Sequence, residues 1–169
     1  MRGEDFTELY RQYLPRVLNY MRLRVDDEAL AQDLTAATFE RAFAKRGQLR
    51  DPDAFAAWLF RIARNELGQH YRRWSRRGAH VSLTAALGVP DGNPRPEEEA
   101  AKRQELAETL TAVAELSERE QEIIRLKFVG GLTNRAIAKV LRLSESNVAV
   151  ILYRAIRKLR GRLGVGEVK

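Results

Sequence analysis

Between residues 61 and 77 the chain places six arginines, at positions 61, 64, 72, 73, 76 and 77, against one acid, Glu66. If the segment is helical, Arg61, Arg64, Asn65, Gly68 and Arg72 share one face. Such a face holds phosphates, because guanidinium donors match phosphate oxygens in pairs, and Gly68 lets another backbone approach. Tyr71 and Trp74 supply rings that stack on unpaired bases or prop a duplex open. The plainer alternative is a solvated basic face with both rings tucked into a core, where aromatic side chains often sit. By the same reasoning Trp58, on the face of Phe55, Leu59 and Ile62, is expected in the core.

A second constellation lies near the end of the chain. A short helical segment from Thr133, a three-residue turn and a longer segment from Ser144 have the spacing of a helix-turn-helix. On the longer segment Val148, Leu152, Ala155 and Leu159 fall on one apolar face. Ser146, Val150, Tyr153, Arg154 and Arg157 lie opposite, with Arg135, Lys139 and Arg142 alongside. Any packed surface helix shows such a division; the short partner helix, the two caps and the basic residues favour DNA.

Other chemistry finds little support. The chain has no cysteine, which excludes disulfides, thiolate metal sites and cysteine nucleophiles. His70 and His80 have no metal-ligand spacing to a third group. No phosphate-cradling glycine loop or nucleophile motif is present. Asp26, Asp27 and Glu28 are better explained as helix-start residues than as nuclease carboxylates. The expectation is a non-enzyme without metal or cofactor. Lys and Arg total 30 against 23 acids, a formal charge of +7 over 169 residues. That excess points to a polyanionic partner, although charge alone does not separate nucleic acid from an acidic protein or a lipid surface. No run reaches membrane-spanning length, and the N-terminus lacks a signal-peptide profile, so a cytoplasmic location without membrane insertion is expected.

The elements that must position these residues are helical throughout. Ala, Leu, Arg and Glu dominate, and no alternating β-branched run of strand length occurs. The expected fold is all-α: two small helical domains joined by a flexible linker, the second containing the helix-turn-helix. Gly88, Pro90, Gly92, Pro94 and Pro96 mark residues 78–96 as the linker, dividing the chain into 1–77 and 97–169. In the first domain, helices are expected over Asp5 to Met21, with Pro15 placed to kink or split it, from Asp26–Glu28 to about Lys45, and from Asp53 to about Arg77. A loop from Gly47 to Asp53 precedes the last. In the second, Glu97 to Leu116 is one helix. Ser117-Glu118-Arg119-Glu120 fits a capping box, and that helix is expected to end in a left-handed cap at Gly130-Gly131. Thr133 and Ser144 cap the remaining two.

Residues 117–159 closely resemble region four of the extracytoplasmic-function sigma factors: a serine-capped first helix, the Gly-Gly break, and a serine-capped recognition helix ending in Tyr153-Arg154-Ala155. The first domain resembles region two of the same family independently. Asp33-Leu34-Thr35 through Thr38-Phe39-Glu40-Arg41-Ala42-Phe43 is similar to the clamp-binding helix, and Asp53 through Asn65 to the promoter-melting helix. The resemblance implies an alternative sigma factor that directs RNA polymerase core to specific promoters and promotes DNA opening. The chain is too short for the extra domains of large sigma factors.

From the resemblance follow the implied partners and sites. Region two docks on the polymerase β′ clamp through Asp33, Ala37 and Glu40. It meets the minus-ten element with Arg50, Arg61, Arg64, Asn65, Arg72 and Arg73, the loop Gly47 to Pro52 capturing a flipped base. Region four reads the minus-thirty-five element with Arg135, Ser146, Asn147, Val150 and Arg154, and docks on the β flap. An anti-sigma factor commonly accompanies such proteins. Three departures stand out. Ala36 and Ala37 replace the usual Gln and Glu, leaving fewer charge-assisted contacts to the basic clamp. Ala149, Val150 and Ile151 replace basic or hydroxyl residues, so readout leans on Ser146, Asn147 and Arg154, with Val150 available to a thymine methyl. Gln69 stands where aspartate is common. A stand-alone helix-turn-helix regulator would explain the second domain but not the arginine-rich helix, and a sigma-like decoy would explain the apolar recognition helix.

Overall fold

The computed structural model describes residues 3–75 and 96–164. The expected linker 78–96 lies outside these residues except for Pro96. Among the described residues there are seven α-helices and no strand: α1 (Gly3–Arg22), α2 (Glu28–Lys45), α3 (Phe55–Ser75), α4 (Pro96–Ala114), α5 (Glu118–Ile124), α6 (Asn134–Leu141) and α7 (Glu145–Leu163).

Capping chemistry sets most of the boundaries. Asp27 accepts from the Ala29 amide at 2.8 Å and starts α2. Asp51 accepts from the Asp53 amide at 3.0 Å and starts the 3-10 turn Pro52–Ala54, which leads into α3. The Ser117 hydroxyl accepts from the Glu120 amide at 3.3 Å while the Ser117 amide donates to the Glu120 carboxylate at 2.9 Å, the reciprocal box expected from the sequence. The Thr133 and Ser144 hydroxyls cap α6 and α7 by accepting from the Ala136 and Asn147 amides, without the reciprocal bond.

One local expectation is corrected. Pro15 does not split α1, which is unbroken from Gly3 to Arg22; Val17, Tyr20 and Met21 beyond it are fully buried. After α5 the chain widens into a π turn, Arg125–Val129, closed by the Gly130 amide on the Arg125 carbonyl at 2.9 Å. The expected left-handed cap follows it at Gly131, at φ 68°. The reversal after α6 falls on Arg142, at φ 57°, rather than on a glycine.

In the first module, α1, α2 and α3 pack around Phe6, Phe39, Phe55, Leu59, Phe60 and Leu67. The second packs α5, α6 and α7 around Ile123, Leu126, Ile137, Val148 and Leu152. The two modules are also docked on each other, so that the buried side chains form one continuous cluster. Gly130 makes this possible: a Cβ there would lie 3.0 Å from the Phe60 ring and 2.8 Å from the Leu126 carbonyl. Phe60 of α3 therefore packs directly on backbone after α5. Trp58 is half-buried rather than fully in the core, its ring 5.9 Å from that of Phe55.

Candidate nucleic-acid and polymerase interfaces

The recognition face is laid out as the periodicity requires. Val148, Leu152 and Ala155 of α7 are buried and Leu159 half-buried. Ser146, Asn147, Val150 and Arg154 are exposed opposite, as is Arg135 at the start of α6. Two side chains on this face are large and apolar: Val150 is 45% exposed and Tyr153 64%. Lys158 bonds the Glu120 carboxylate at 2.7 Å, tying α7 to the box that opens α5. This bond holds the Glu120 carboxyl below its ordinary value against the opposing pull of burial, with help from Ser117.

The acidic stripe of α2 is likewise available. Asp33, Ala36 and Glu40 are exposed and Ala37 half-buried, while Ala31, Leu34, Thr35, Thr38, Phe39 and Ala42 face the core. Phe43 continues the stripe one turn beyond Glu40, with the Arg46 guanidinium 3.9 Å above its ring.

The arginine-rich helix α3 divides into two parts. Asn65, Arg72 and Arg73 are exposed, as is Arg50 in the preceding loop. The Arg72 side chain folds back over Gly68, 3.4 Å from where a Cβ would sit, so the space that glycine leaves is already covered. The single acid of the segment, Glu66, is buried against Arg41 Nε at 2.9 Å. The two rings have different fates: Tyr71 donates its hydroxyl to the Arg24 carbonyl, whereas Trp74 is 40% exposed with its ring 5.8 Å from that of His70. Trp74 is the ring available for stacking.

Arg61 and Arg64 are engaged by the second module. Arg61 donates to the Lys139 carbonyl at 3.1 Å. Arg64 donates through Nη1 to the Val140 carbonyl at 3.4 Å and through Nε to Glu122 at 2.8 Å. Glu122 is 5% exposed. It also accepts from the Tyr20 hydroxyl at 2.7 Å and from Arg24 at 2.6 Å, with Arg125 at 3.8 Å. Burial, and then Glu122, push the Tyr20 phenol well above its usual range. Burial pulls the Arg24 guanidinium down, but Glu122 with Tyr20 and Tyr71 outweighs it and leaves Arg24 raised. Arg125 is lowered, by burial and by the neighbouring Arg24. Sequence reasoning missed Tyr20, Arg24 and Glu122. No periodic signal joins them, since Glu122 lies 98 and 102 positions from its two α1-side partners. Among the described residues no cluster of three potential metal ligands occurs, and no helix is long and apolar enough to cross a membrane.

Comparison with known proteins accounts for both modules. The family description sigma-70 region 2 matches residues 9–77, and sigma-70 region 4 matches residues 106–159. With both regions matched in one all-helical chain, the chain belongs to the sigma-70 family. Within it, the chain falls in the extracytoplasmic-function group. It is 35% identical over 161 residues to the ECF RNA polymerase sigma factor BldN of Streptomyces coelicolor, covering 93% of this chain and 60% of that protein. It is 26% identical to the ECF sigma factor SigM of Bacillus subtilis, covering 90% of this chain and 91% of the other. The fold is that of the sigma factor RpoE of Bartonella quintana, solved with the anti-sigma factor NepR (TM-score 0.76, 22% identity, 97% and 99% of the two chains). It also matches CnrH in complex with the cytosolic domain of CnrY (TM-score 0.67, 26% identity, 98% and 92%).

Proposed function

We propose that this chain binds core RNA polymerase, directs it to a set of promoters and promotes opening of the DNA there. The carrying observation is the presence of both family regions in one chain, with the clamp-type stripe on α2 and the recognition face on α7 exposed. In this reading Asp33, Ala37 and Glu40 meet the β′ clamp. Arg50, Arg61, Arg64, Asn65, Arg72 and Arg73 meet the minus-ten element, and Trp74 stacks on bases as they unpair. Arg135, Ser146, Asn147, Val150 and Arg154 read the minus-thirty-five element, and region four also docks on the β flap. The division into 1–77, a linker 78–96 and 97–169 belongs to this reading. The chain performs no reaction of its own; RNA synthesis is the polymerase's. It acts in the cytoplasm, where polymerase and promoter are. The solved anti-sigma complexes of similar proteins support an anti-sigma factor as a further partner.

The test is run-off transcription by purified core enzyme on a genomic promoter library, with and without the chain. Discrete, chain-dependent transcripts are expected, together with co-purification of chain and core. DNA binding without any association with core would overturn the reading in favour of a stand-alone regulator.

A further inference from the structure

We propose that Arg142, at the turn between α6 and α7, is a further DNA-binding residue of region four, one that holds a promoter phosphate beside the end of α7 that leads into the groove. The inference deepens the reading above that region four meets a promoter, and rests on it.

Among the described residues Arg142 is the one non-glycine with positive φ, at φ 57° and ψ 46°. It stands just after α6, where glycine is the usual choice because a Cβ in the left-handed region crowds the backbone. The turn itself is well bonded: the Arg142 and Leu143 amides both donate to the Ala138 carbonyl, the second at 3.0 Å. Its geometry suits glycine, and the chain places arginine there. Strain of this kind persists where something offsets it. Nothing within the chain does so. The Arg142 side chain is exposed and, among the described residues, makes no hydrogen bond or ion pair. A basic side chain at a helix end can serve the last carbonyls of that helix, but these are already occupied. Ala138 has the two amides, Lys139 has Arg61 at 3.1 Å and Val140 has Arg64 at 3.4 Å.

The recognition helix indicates what the guanidinium meets. In a helix-turn-helix the first helix crosses the DNA backbone and the N-terminal residues of the second reach the bases, so the turn joining them lies between bases and phosphates. The first two turns of α7 carry no cation. Glu145, Ser146, Asn147, Ala149 and Val150 are exposed there, one of them acidic and none basic. The first cation on α7 is Arg154, about 14 Å further along the axis. In the chain, the cations closest to the leading end are Arg142, three positions ahead of Glu145, and Lys139, which is exposed on α6. Lys139 sits in ordinary helical backbone; Arg142 alone is kept there against strain. A guanidinium at this turn supplies a charge-assisted bond to phosphate where α7 has none to give. Such a contact carries no sequence information, but it fixes how α7 enters the groove.

Relief of strain and loss of a phosphate contact act in opposite directions, which makes Arg142→Gly informative. Denaturant unfolding of the full chain should show its folding equilibrium improved by about threefold, since glycine is at ease in the left-handed region but also freer when unfolded. Holoenzyme assembled with core enzyme is then titrated, at several salt concentrations, on duplex promoter fragments recovered in the run-off screen. The Arg142→Gly holoenzyme should bind all fragments more weakly and alike, with the slope of log affinity against log salt shallower by roughly 0.9. Arg142→Asn, whose side chain also tolerates the left-handed region, should lose the same slope, which separates the missing charge from a loosened turn. Arg142→Lys should retain it. If the Gly and Asn variants keep wild-type affinity and slope, the phosphate contact is overturned. If Arg142→Gly is less stable than the wild type, the side chain serves the fold and the proposal is overturned as well. Failure of the functional reading looks different: wild-type holoenzyme recovers no promoter fragment, and the proposal falls with it before any variant is compared.

Discussion

Arg64 Nε donates to Glu122 Oε1 at 2.8 Å, joining α3 of region two to α5 of region four across 58 positions of chain. The Arg64 side chain is 39% exposed, whereas that of Glu122 is 6% exposed. Loss of Arg64 therefore has two consequences, one in the isolated chain and one on DNA. In the isolated chain, Arg64→Ala should loosen the docking of the modules by about 1 kcal/mol, a value reduced by the solvent that already reaches the guanidinium. Denaturant unfolding would register it.

On promoter DNA, Arg64→Ala combined with Arg72→Ala should impair open-complex formation more than association with core enzyme. Permanganate reactivity of unpaired thymines reports opening, and co-elution with core reports association. Lost association with the helical content intact would contradict the placement of these arginines on DNA.

The stripe on α2 should behave in the opposite way. Asp33 and Glu40 are exposed, so Asp33→Ala with Glu40→Ala should change stability by less than about 0.5 kcal/mol while weakening association with core. Because Ala37 supplies no charge between them, Ala37→Glu should strengthen that association. An unchanged affinity in both variants would remove α2 from the core-binding surface.

Region four should show an unusually shallow salt dependence. Each phosphate neutralised adds roughly 0.9 to the slope of log affinity against log salt, and Ala149, Val150 and Ile151 neutralise none. Arg154→Ala should cost about 1–3 kcal/mol of promoter discrimination, as for loss of one bidentate base contact. Ala149→Lys should tighten binding to all sequences alike and steepen the slope, since a phosphate contact carries no sequence information. Titration of holoenzyme on promoter duplexes at several salt concentrations separates the two effects. Unaltered promoter selection by Arg154→Ala would withdraw the readout role of α7.

The box at the start of α5 predicts a pH dependence. The Glu120 carboxyl is lowered from its ordinary 4.5 chiefly by the bond from Lys158. A depressed carboxyl contributes stability that is present above its unfolded value and is lost as pH falls through the folded one. Thermal melts from about pH 6 to about pH 3 should therefore decline less steeply in Glu120→Gln than in the wild type. Ser117→Ala, which removes the hydroxyl that accepts from the Glu120 amide, should cost about 1 kcal/mol at neutral pH. Parallel pH profiles for wild type and Glu120→Gln would show that the Lys158 bond contributes nothing.

What the sequence determined by itself was local. Side-chain caps act within three residues, so Ser117, Thr133 and Ser144 mark their helices wherever the helices lie. Helical periodicity places Val148, Leu152 and Ala155 inward and Ser146, Val150 and Arg154 outward, because one face must bury apolar surface whatever it meets. Tertiary structure decided what meets what. The basic face of α3 is one surface in the sequence, but Arg64 is half-buried against Glu122, whereas Arg61 bonds the Lys139 carbonyl and stays exposed, as do Asn65 and Arg72. That division depends on Gly130 admitting the Phe60 ring and on Tyr20, Arg24 and Glu122 meeting across the chain. Contacts between residues so far apart leave no periodic trace, since their geometry exists only once the helices have docked. Pro15 shows the same priority: a residue that favours a break sits inside an unbroken α1, because burial of Val17, Tyr20 and Met21 outweighs the lost backbone bond.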